Sequence, residues 1–280
     1  MSVNNISDPV YVVGRTDRET ERLQRQGQLM EPSTRRVLEA AGITKGMKVL
    51  DVGCGAGDVS LLAAKLVGPS GSVVGVDSNP VILETARQRA CAAGLSNISF
   101  VEGDIRDMVL DNDFDAAVGR LVLVHVGDQV AALQAIAQHV RSGGIVAFHE
   151  GDFGLFESLA ANETTPQLYR QTVCWFVEVF RRVGLDIPMG TSLPETFLQA
   201  ALPRPQMCLD TMVGCGPDWS GYDYVAECLR STLPLLIKFG VTTAQEADVD
   251  TFAERLREQV VSQQRIVVLP LMIGAWARKA

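Results

Sequence analysis

The stretch Lys48-Val-Leu-Asp-Val-Gly-Cys-Gly-Ala-Gly-Asp-Val59 decides the fold of this chain. It predicts a buried strand that ends near Val52, a turn with glycines at positions 53, 55 and 57, and an apolar helix beyond the turn. Glycine lets the backbone turn tightly and lets a ligand approach without a Cβ in the way. The free N–H groups at the start of the helix add a partial positive charge. The stretch therefore predicts a ligand site where a strand meets a helix.

A carboxylate follows at the tip of the next predicted strand. Asp77 closes Ser72-Val-Val-Gly-Val-Asp77, at the separation of about 20 residues where an acidic side chain can accept both hydroxyls of a ribose. The dinucleotide fingerprint does not match, because Asp58 stands where its third glycine belongs, and the P-loop Lys-Ser/Thr is missing. Asp51 and Asp58 flank the turn, and two carboxylates repel a pyrophosphate but suit an ammonium and a sulfonium. These features favour S-adenosylmethionine as the cofactor.

At this point the chain resembles the class I S-adenosylmethionine-dependent methyltransferases, whose first motif is similar to Val49-Leu-Asp-Val-Gly-Cys-Gly-Ala-Gly57. Gly103-Asp-Ile-Arg-Asp107 is similar to the adenine-reading motif of that family, and residues 114–126 are similar to its fourth-strand motif. The resemblance is nearest to the broad group of quinone-biosynthesis and natural-product enzymes. It implies an α/β fold, a Rossmann-like sheet of seven strands in the order 3-2-1-4-5-7-6, with the last strand antiparallel and helical cap insertions.

The chain divides into three predicted parts. Residues 1–44 are expected to form an N-terminal helical lid, with one helix from Asp17 to Met30 and a second that begins at Pro32. Residues 45–152 alternate strand and helix, which predicts the parallel sheet of the cofactor-binding core. Residues 153–280 are expected to supply the acceptor-binding cap and the C-terminal antiparallel strands, with a helix at 166–183 and a proline-punctuated loop up to residue 204.

The resemblance also implies the site residues. Asp104 would accept from the adenine amino group, Ile105 would cover the ring, and Arg120 would meet a carboxylate of the cofactor or of an anionic acceptor. Tyr11 and Gln26 are candidate lid residues, for which plain packing is the alternative. The full set of expected cofactor-binding residues is Asp51, Gly53, Gly55, Gly57, Asp77, Ser78, Asp104, Ile105, Arg120, Leu121, Tyr11 and Gln26. Three residues are candidates for moving a proton from the acceptor, namely His149, His125 and Glu150.

Composition argues against several functions. The formal net charge of -8 argues against a protein that tracks a phosphate backbone. Six cysteines include no C-x-x-C pair, which predicts no metal site and indicates free, buried thiols in a reducing cytosol. The polar N-terminus has no signal-peptide pattern, and no apolar run reaches the length of a membrane span, so a cytoplasmic location is expected. Residues 119–122, Gly-Arg-Leu-Val, lack the N/D-P-P-Y tetrad of enzymes that methylate base amino groups.

The sequence thus predicts an enzyme that transfers a methyl group from S-adenosylmethionine to O, N or C of a small, hydrophobic metabolite and releases S-adenosylhomocysteine. The expected partner is a small-molecule acceptor, with no nucleic acid and no membrane, and a homo-oligomer is compatible with the sequence. Three alternatives stay open. They are a protein or RNA methyltransferase, a non-catalytic S-adenosylmethionine-binding protein and a nicotinamide-dependent dehydrogenase.

Overall fold

The computed structural model describes residues 17–104, 106–107 and 110–280, and for residues 17–26 and 28 it describes the backbone alone. Its main sheet contains β1 (Lys48–Val52), β2 (Ser72–Asp77), β3 (Ile98–Glu102), β4 (Phe114–Arg120), β5 (Val140–Asp152), β6 (Gln206–Asp210) and β9 (Leu271–Arg278). The strand order is β3-β2-β1-β4-β5-β9-β6. β9 is the seventh strand of this sheet along the chain and runs antiparallel to both β5 and β6. The predicted fold class and strand order are confirmed.

Helices cover the sheet and extend beyond it. They are α1 (Asp17–Ala41), α2 (Asp58–Val67), α3 (Pro80–Ala92), α4 (Gln129–Gln138), α5 (Phe153–Ala160), α6 (Gln167–Arg182), α7 (Met189–Gln199), α8 (Gly221–Lys238), α9 (Ala244–Ala247) and α10 (Phe252–Ser262). Two short strands, β7 (Val213–Gly214) and β8 (Val267–Val268), pair antiparallel beside the main sheet. None of the helices in the described part of the chain has the length and apolarity that a bilayer crossing requires.

Side chains alternate between the two faces of the sheet and bury a separate core on each face. On one face Leu50, Ala117 and Val146 pack with Leu133 of α4 and Leu193 of α7. On the other face, the neighbours of those strand residues pack with α1 and α2, as Val49, Val118, Ile145, Leu38 and Leu62 show. A sheet buried on both faces needs apolar residues at nearly every strand position, which is what these strands contain. The two cores hold the carboxyl ends of β1, β2, β4 and β5 at one edge.

A third hydrophobic cluster lies in the later part of the chain. It joins α5, α6, α8 and α10 through side chains such as Phe156, Val173, Leu229 and Leu256. These helices pack on one another more than on the sheet, because their buried faces meet within this cluster. α1 contacts this group as well, since Leu29 is packed against the same cluster.

Some predicted elements differ from the structure. α1 is one continuous helix with Pro32 inside it, not two helices, because proline removes a single backbone donor and packing on both sides of it holds the helix together. The predicted loop before residue 204 contains α7, whose apolar face covers β5 and β9 in spite of Pro194. All six cysteines lie in the described part of the chain and none forms a disulfide bond, but only Cys54 is buried, so the expectation of buried thiols is wrong.

Candidate active site

The glycine-rich turn follows β1 and has an unusual backbone. Gly53, Gly55 and Gly57 have φ values of 61°, 52° and 84°, in the left-handed region that favours glycine. A Cβ at Gly53 would come 2.8 Å from Val122, and one at Gly57 would press on Leu61. A Cβ at Gly55, in contrast, would meet no atom of the described residues within 4 Å. Gly55 therefore faces open space at the end of β1, where a ligand can lie against the backbone.

Asp77 lies directly beside this turn. Its Oδ2 accepts the N–H of Gly55 at 2.9 Å, and its Oδ1 accepts the N–H of Asn79 at 2.9 Å. Each carboxylate oxygen keeps a second lone pair for a further donor. The structure thus places a half-buried acidic side chain next to the open space at Gly55, as a ribose diol requires.

Asp51 is fully buried and only partly hydrogen-bonded. Its Oδ2 accepts the hydroxyl of Ser60, whereas its Oδ1 has no hydrogen-bond partner among the described residues. Burial raises the pKa of Asp51 to about 7, with smaller opposing effects from Ser60 and Arg120. A buried carboxylate oxygen without a partner is costly, and a cationic ligand would remove that cost. The ammonium or sulfonium of S-adenosylmethionine fits this oxygen, and the ribose of the same molecule fits Asp77.

The adenine-reading motif is described only in part. Gly103 N–H donates to the carbonyl of Asp77, so the motif lies beside the end of β2. The Asp104 carboxylate pairs with Arg106, which holds the pKa of Asp104 below its ordinary value, and about a third of the Asp104 side chain is exposed. Three predicted contacts lie outside the described residues, namely Tyr11, Ile105 and the side chain of Gln26. Ser78 is exposed just after Asp77.

The segment after β4 is strained and clamped. Leu121 has a φ of 55°, a left-handed conformation that a leucine rarely adopts, and its N–H donates to the carbonyl of His149. The buried Glu150 carboxylate accepts the N–H groups of the next three residues, at 3.0 Å from Val122, 3.0 Å from Leu123 and 3.4 Å from Val124. Burial raises the pKa of Glu150 to about 7, although these amides oppose the effect. Glu150 therefore fixes the backbone of this turn.

His125 ends a short 3-10 turn, Leu123–His125, that follows this clamp. Burial lowers its pKa to about 4, so the imidazole is neutral near pH 7. It lines neither of the two pockets described below.

Arg120 connects the cofactor side of the site to α1. Its Nη1 donates to Thr34 Oγ1 at 3.1 Å, and its Nη2 lies 3.5 Å from Oδ2 of Asp58, at the start of α2. Asp58 pairs more closely with Arg89 of α3, at 2.7 Å. Only 9% of the Arg120 side chain is exposed, and burial lowers its pKa. A guanidinium has five N–H donors, so Arg120 retains capacity for an anionic ligand beside these two contacts.

His149 is paired with Arg120 across β4 and β5 and lies under α1. Its Nε2 is 3.4 Å from Ser33 Oγ, and its Nδ1 is 3.4 Å from Thr34 Oγ1. The ring is 2% exposed, and burial lowers its pKa to about 3, with a further contribution from the nearby Arg120 cation. His149 is therefore a neutral imidazole held between two hydroxyl groups of α1.

Two pockets lie next to His149 and Arg120. One contains Ser33, which contacts His149, and the other contains Arg120. The first is a small, partly open pocket between α1, the segment after β6, α8 and the segment before β9. Its wall contains the polar residues Ser33, Asp210 and Thr211, the aromatic Tyr224 and the apolar residues Met30, Met212, Leu269, Pro270 and Met272. The second is larger and also partly open, lies between α1 and α2 and is lined by charged side chains that include Asp58, Arg89 and Arg120.

α1 is held down over the site at two points. Arg36 Nε donates to Asp210 at 2.9 Å, which links α1 to the end of β6. At Gly27 the helix backbone lies so near α2 that a Cβ would overlap the Asp58 carboxylate. Sequence reasoning missed Ser33, Thr34 and Arg89, because no motif surrounds them and only the packing of α1 and α3 brings them to the site.

Comparison with known proteins gives a consistent result. A family model described as a methyltransferase domain matches residues 43–187. Over 113 residues the chain is 35% identical to a demethylmenaquinone methyltransferase of Staphylococcus aureus, a match that covers 40% of this chain and 46% of that protein. The chain thus spans about half the length of the curated relatives it matches.

Solved structures share the fold. The YcgJ protein of Bacillus subtilis is similar with a TM-score of 0.56 and 16% identity, over 89% of this chain and 99% of that one. A phosphoethanolamine N-methyltransferase of Haemonchus contortus, solved with S-adenosylhomocysteine, is similar with a TM-score of 0.54 and 16% identity, over 89% of this chain and 53% of that one. At such identities the likeness concerns the fold alone.

Proposed function

The chain belongs to the methyltransferase domain family, and from this premise we propose that it transfers a methyl group from S-adenosylmethionine to a small, hydrophobic acceptor. The donor carries its methyl group on a sulfonium, which is a good leaving group. The residues of this chain then have to bind both partners, keep them in line and exclude water. Correct placement of reacting groups alone can be worth about 7–11 kcal/mol of the barrier.

The donor site lies along the carboxyl ends of β1, β2 and β4. Asp77 accepts the ribose hydroxyls, Gly55 allows close approach of the backbone, and the unpartnered Oδ1 of Asp51 receives the ammonium. Arg120 binds the carboxylate of the donor, since its guanidinium has more N–H donors than its contacts to Thr34 and Asp58 use. This assignment makes residues 45–152 the donor-binding core, as the sequence predicts.

The acceptor site is the apolar pocket between α1 and α8. Three methionines and Tyr224 provide a soft apolar wall, and methionine sulfur makes favourable contacts with aromatic rings. The one observation that carries the proposal is that this pocket and the donor site meet at a single buried group, since His149 contacts Ser33 in the pocket wall and, through Thr34, Arg120. α1 forms part of both sites, as expected of a lid, and the segment after residue 153 forms the rest of the acceptor wall.

The three candidates for proton transfer receive different roles. The Glu150 carboxylate accepts hydrogen bonds from backbone amides, so Glu150 acts as a positioning residue for the turn after β4. His125 lines neither pocket, so we assign it to the same turn. His149 alone combines burial, a neutral ring and contact with the pocket wall, and it is the base we propose.

The experiment is incubation of the purified protein with methyl-labelled S-adenosylmethionine and fractions of small hydrophobic metabolites. Label is expected in an organic-extractable product of low mass, formed together with S-adenosylhomocysteine. Label in protein or RNA would refute the small acceptor, and donor binding without any labelled product would refute catalysis. The relatives that act on demethylmenaquinone make isoprenoid quinols reasonable first acceptors to include.

A further inference from the structure

The hydrogen bonds around Thr34 determine which nitrogen of His149 carries the proton. The Thr34 hydroxyl donates its one proton to the carbonyl of Met30 at 3.0 Å, four residues earlier in α1. Its oxygen accepts from Arg120 Nη1, which cannot accept in return. The same hydroxyl therefore has no proton left for His149. Nδ1 of His149 has to be the donor in its 3.4 Å contact with Thr34 Oγ1.

The opposite nitrogen then has a lone pair. A neutral imidazole with a proton on Nδ1 is an acceptor at Nε2. Nε2 lies 3.4 Å from Ser33 Oγ, so the Ser33 hydroxyl donates to it. Ser33 also lines the apolar pocket proposed for the acceptor, and its oxygen can accept from a hydroxyl bound there. The order of contacts is thus pocket, Ser33, His149, Thr34 and Arg120.

Resting on the proposed function, we infer that Ser33 is a catalytic residue that passes a proton from a hydroxyl-bearing acceptor in the apolar pocket to Nε2 of His149, and that Thr34 and Arg120 are positioning residues that set the tautomer of His149. The acceptor is an alcohol or phenol, since a hydroxyl group has to give up a proton when it is methylated.

The step balances in atoms and charge. An electron pair of the acceptor forms the new bond to the transferred methyl carbon, and the pair of the broken carbon–sulfur bond stays on sulfur. The acceptor hydroxyl proton moves to Ser33 Oγ as the Ser33 proton moves to Nε2. The positive charge that the donor brings thus ends on the imidazolium, whose two N–H groups face Ser33 and Thr34.

The chemistry of the product explains the choice of acceptor. Burial and Arg120 lower the pKa of His149 to about 3, so the ring is a weak base. A hydroxyl oxygen that has just gained a methyl group is a far stronger acid than an imidazolium, so the proton moves downhill even to this ring. A methylated amine can leave with its proton, because amines have pKa values near 10, so methyl transfer to an amine does not need the relay. The relay through Ser33 and His149 therefore serves acceptors that have to give up a hydroxyl proton.

The first test reads the tautomer directly and needs no donor or acceptor. Two-dimensional ¹⁵N–¹H spectra of protein labelled at its three histidines, assigned with His149→Gln, report which ring nitrogen is protonated. We expect the proton on Nδ1 in the wild type, and a shift toward the Nε2–H form in Thr34→Val. A proton on Nε2 in the wild type would overturn the relay. This result does not depend on whether the protein methylates anything.

The second test is kinetic. Ser33→Ala is expected to lower turnover by about 100-fold, at the low end for a proton-transfer group, with donor affinity unchanged within about twofold. Ser33→Thr should restore much of the rate because it restores the hydroxyl. Thr196→Ala is the control for the loss of a buried helical hydroxyl that lines neither pocket, and it should keep the wild-type rate. Full activity of Ser33→Ala would overturn the inference.

The third test addresses the acceptor class. Pairs of matched phenols and anilines of the same ring system are offered as acceptors with labelled donor. We expect label in the phenol product at a rate at least about tenfold above the aniline, and loss of that preference in His149→Gln. Faster methylation of the aniline would overturn the hydroxyl assignment while leaving the methyltransferase proposal intact.

Discussion

The buried Asp51 carboxylate should make donor binding depend on pH. Burial raises its pKa to about 7, and its Oδ1 has no partner in the described part of the chain. The ionised form attracts the ammonium of the donor, and the protonated form does not. Because the folded-state pKa is raised, lowering the pH through 7 neutralises Asp51, and donor affinity should fall with it. Asp51→Asn should bind with a lower affinity that no longer varies over this range.

The size of the effect follows from the pKa. A carboxyl group with a pKa of about 7 is about 3% ionised at pH 5.5 and about 75% ionised at pH 7.5, which is a ratio of roughly 25. At 1.36 kcal/mol for each tenfold change, the difference in binding free energy is about 2 kcal/mol. The range stops at pH 7.5 because the α-amino group of the donor loses its own proton at a pH of about 8.

The assay is isothermal titration calorimetry with S-adenosylmethionine at several pH values between 5.5 and 7.5. The pKa of Glu150 is also raised to about 7, so Glu150→Gln is the matched control. Its donor affinity should vary with pH as steeply as that of the wild type. His125 and His149 do not contribute, because burial places their pKa values near 4 and 3. An Asp51→Asn variant that retains the wild-type slope would refute the assignment of Asp51 to the ammonium.

The raised pKa of Asp51 should also affect the pH dependence of folding stability, which can be measured without a ligand. A carboxyl group whose folded pKa exceeds its ordinary value stabilises the fold below pH 4, and that stability is lost as the pH rises to 7. Asp51→Asn should therefore lose less stability than the wild type between pH 4 and pH 7, as measured by thermal unfolding. Equal losses in the two proteins would show that Asp51 is ionised freely in the fold.

Three further changes test the rest of the site. Asp77→Ala should weaken donor binding by about 1–3 kcal/mol, or about 5- to 150-fold in calorimetry, through lost hydrogen bonds to the ribose, and unchanged affinity would remove Asp77 from the site. Gly55→Ala should weaken donor binding by about tenfold or more because its Cβ enters the ligand space. Gly94→Ala, which also changes a glycine with a left-handed φ and open surroundings, should show a similar loss of thermal stability but normal donor binding. Equal donor binding by the two variants would be the contrary result. Met212→Trp should fill the apolar pocket and raise the KM for the acceptor, with donor affinity unchanged. Met207→Trp, on the exposed edge strand, should leave both constants as they are. A KM that does not respond to Met212→Trp would place the acceptor elsewhere.

The first half of the chain could be predicted in detail from its residues. The sequence predicts a helix over residues 58–67 and a strand over residues 72–77, and α2 and β2 have these bounds because glycine and proline punctuate the alternation of strand and helix there. The secondary structure of the later half is harder to predict from the sequence. α7 carries Pro194 and was predicted as a loop, yet its apolar face fits the sheet and packing outweighs the local cost of proline. β5 extends from Val140 to Asp152, beyond the strand at residues 143–149 that the sequence predicts, because Val140 pairs with β4 and pairing with β9 continues to Asp152.

Site residues divide in the same way. Gly53 to Gly57 and Asp77 are recognisable because their roles depend on backbone conformation and on spacing along two adjacent strands. Glu150 and His149 are neighbours in sequence and were predicted to share a role, but their side chains point to opposite sides of β5 and meet different groups. One clamps a turn and the other contacts α1.

The sequence by itself determined the sheet, the glycine-rich turn and the acidic residue at the tip of β2, because each depends on periodicity and spacing within a short segment. Only the tertiary structure decided that Ser33 and Thr34 lie against His149, more than a hundred residues away, and that Asp51 keeps an unpartnered buried oxygen. Contacts between distant segments arise from the packing of whole helices on the sheet, and no local pattern of residues records them.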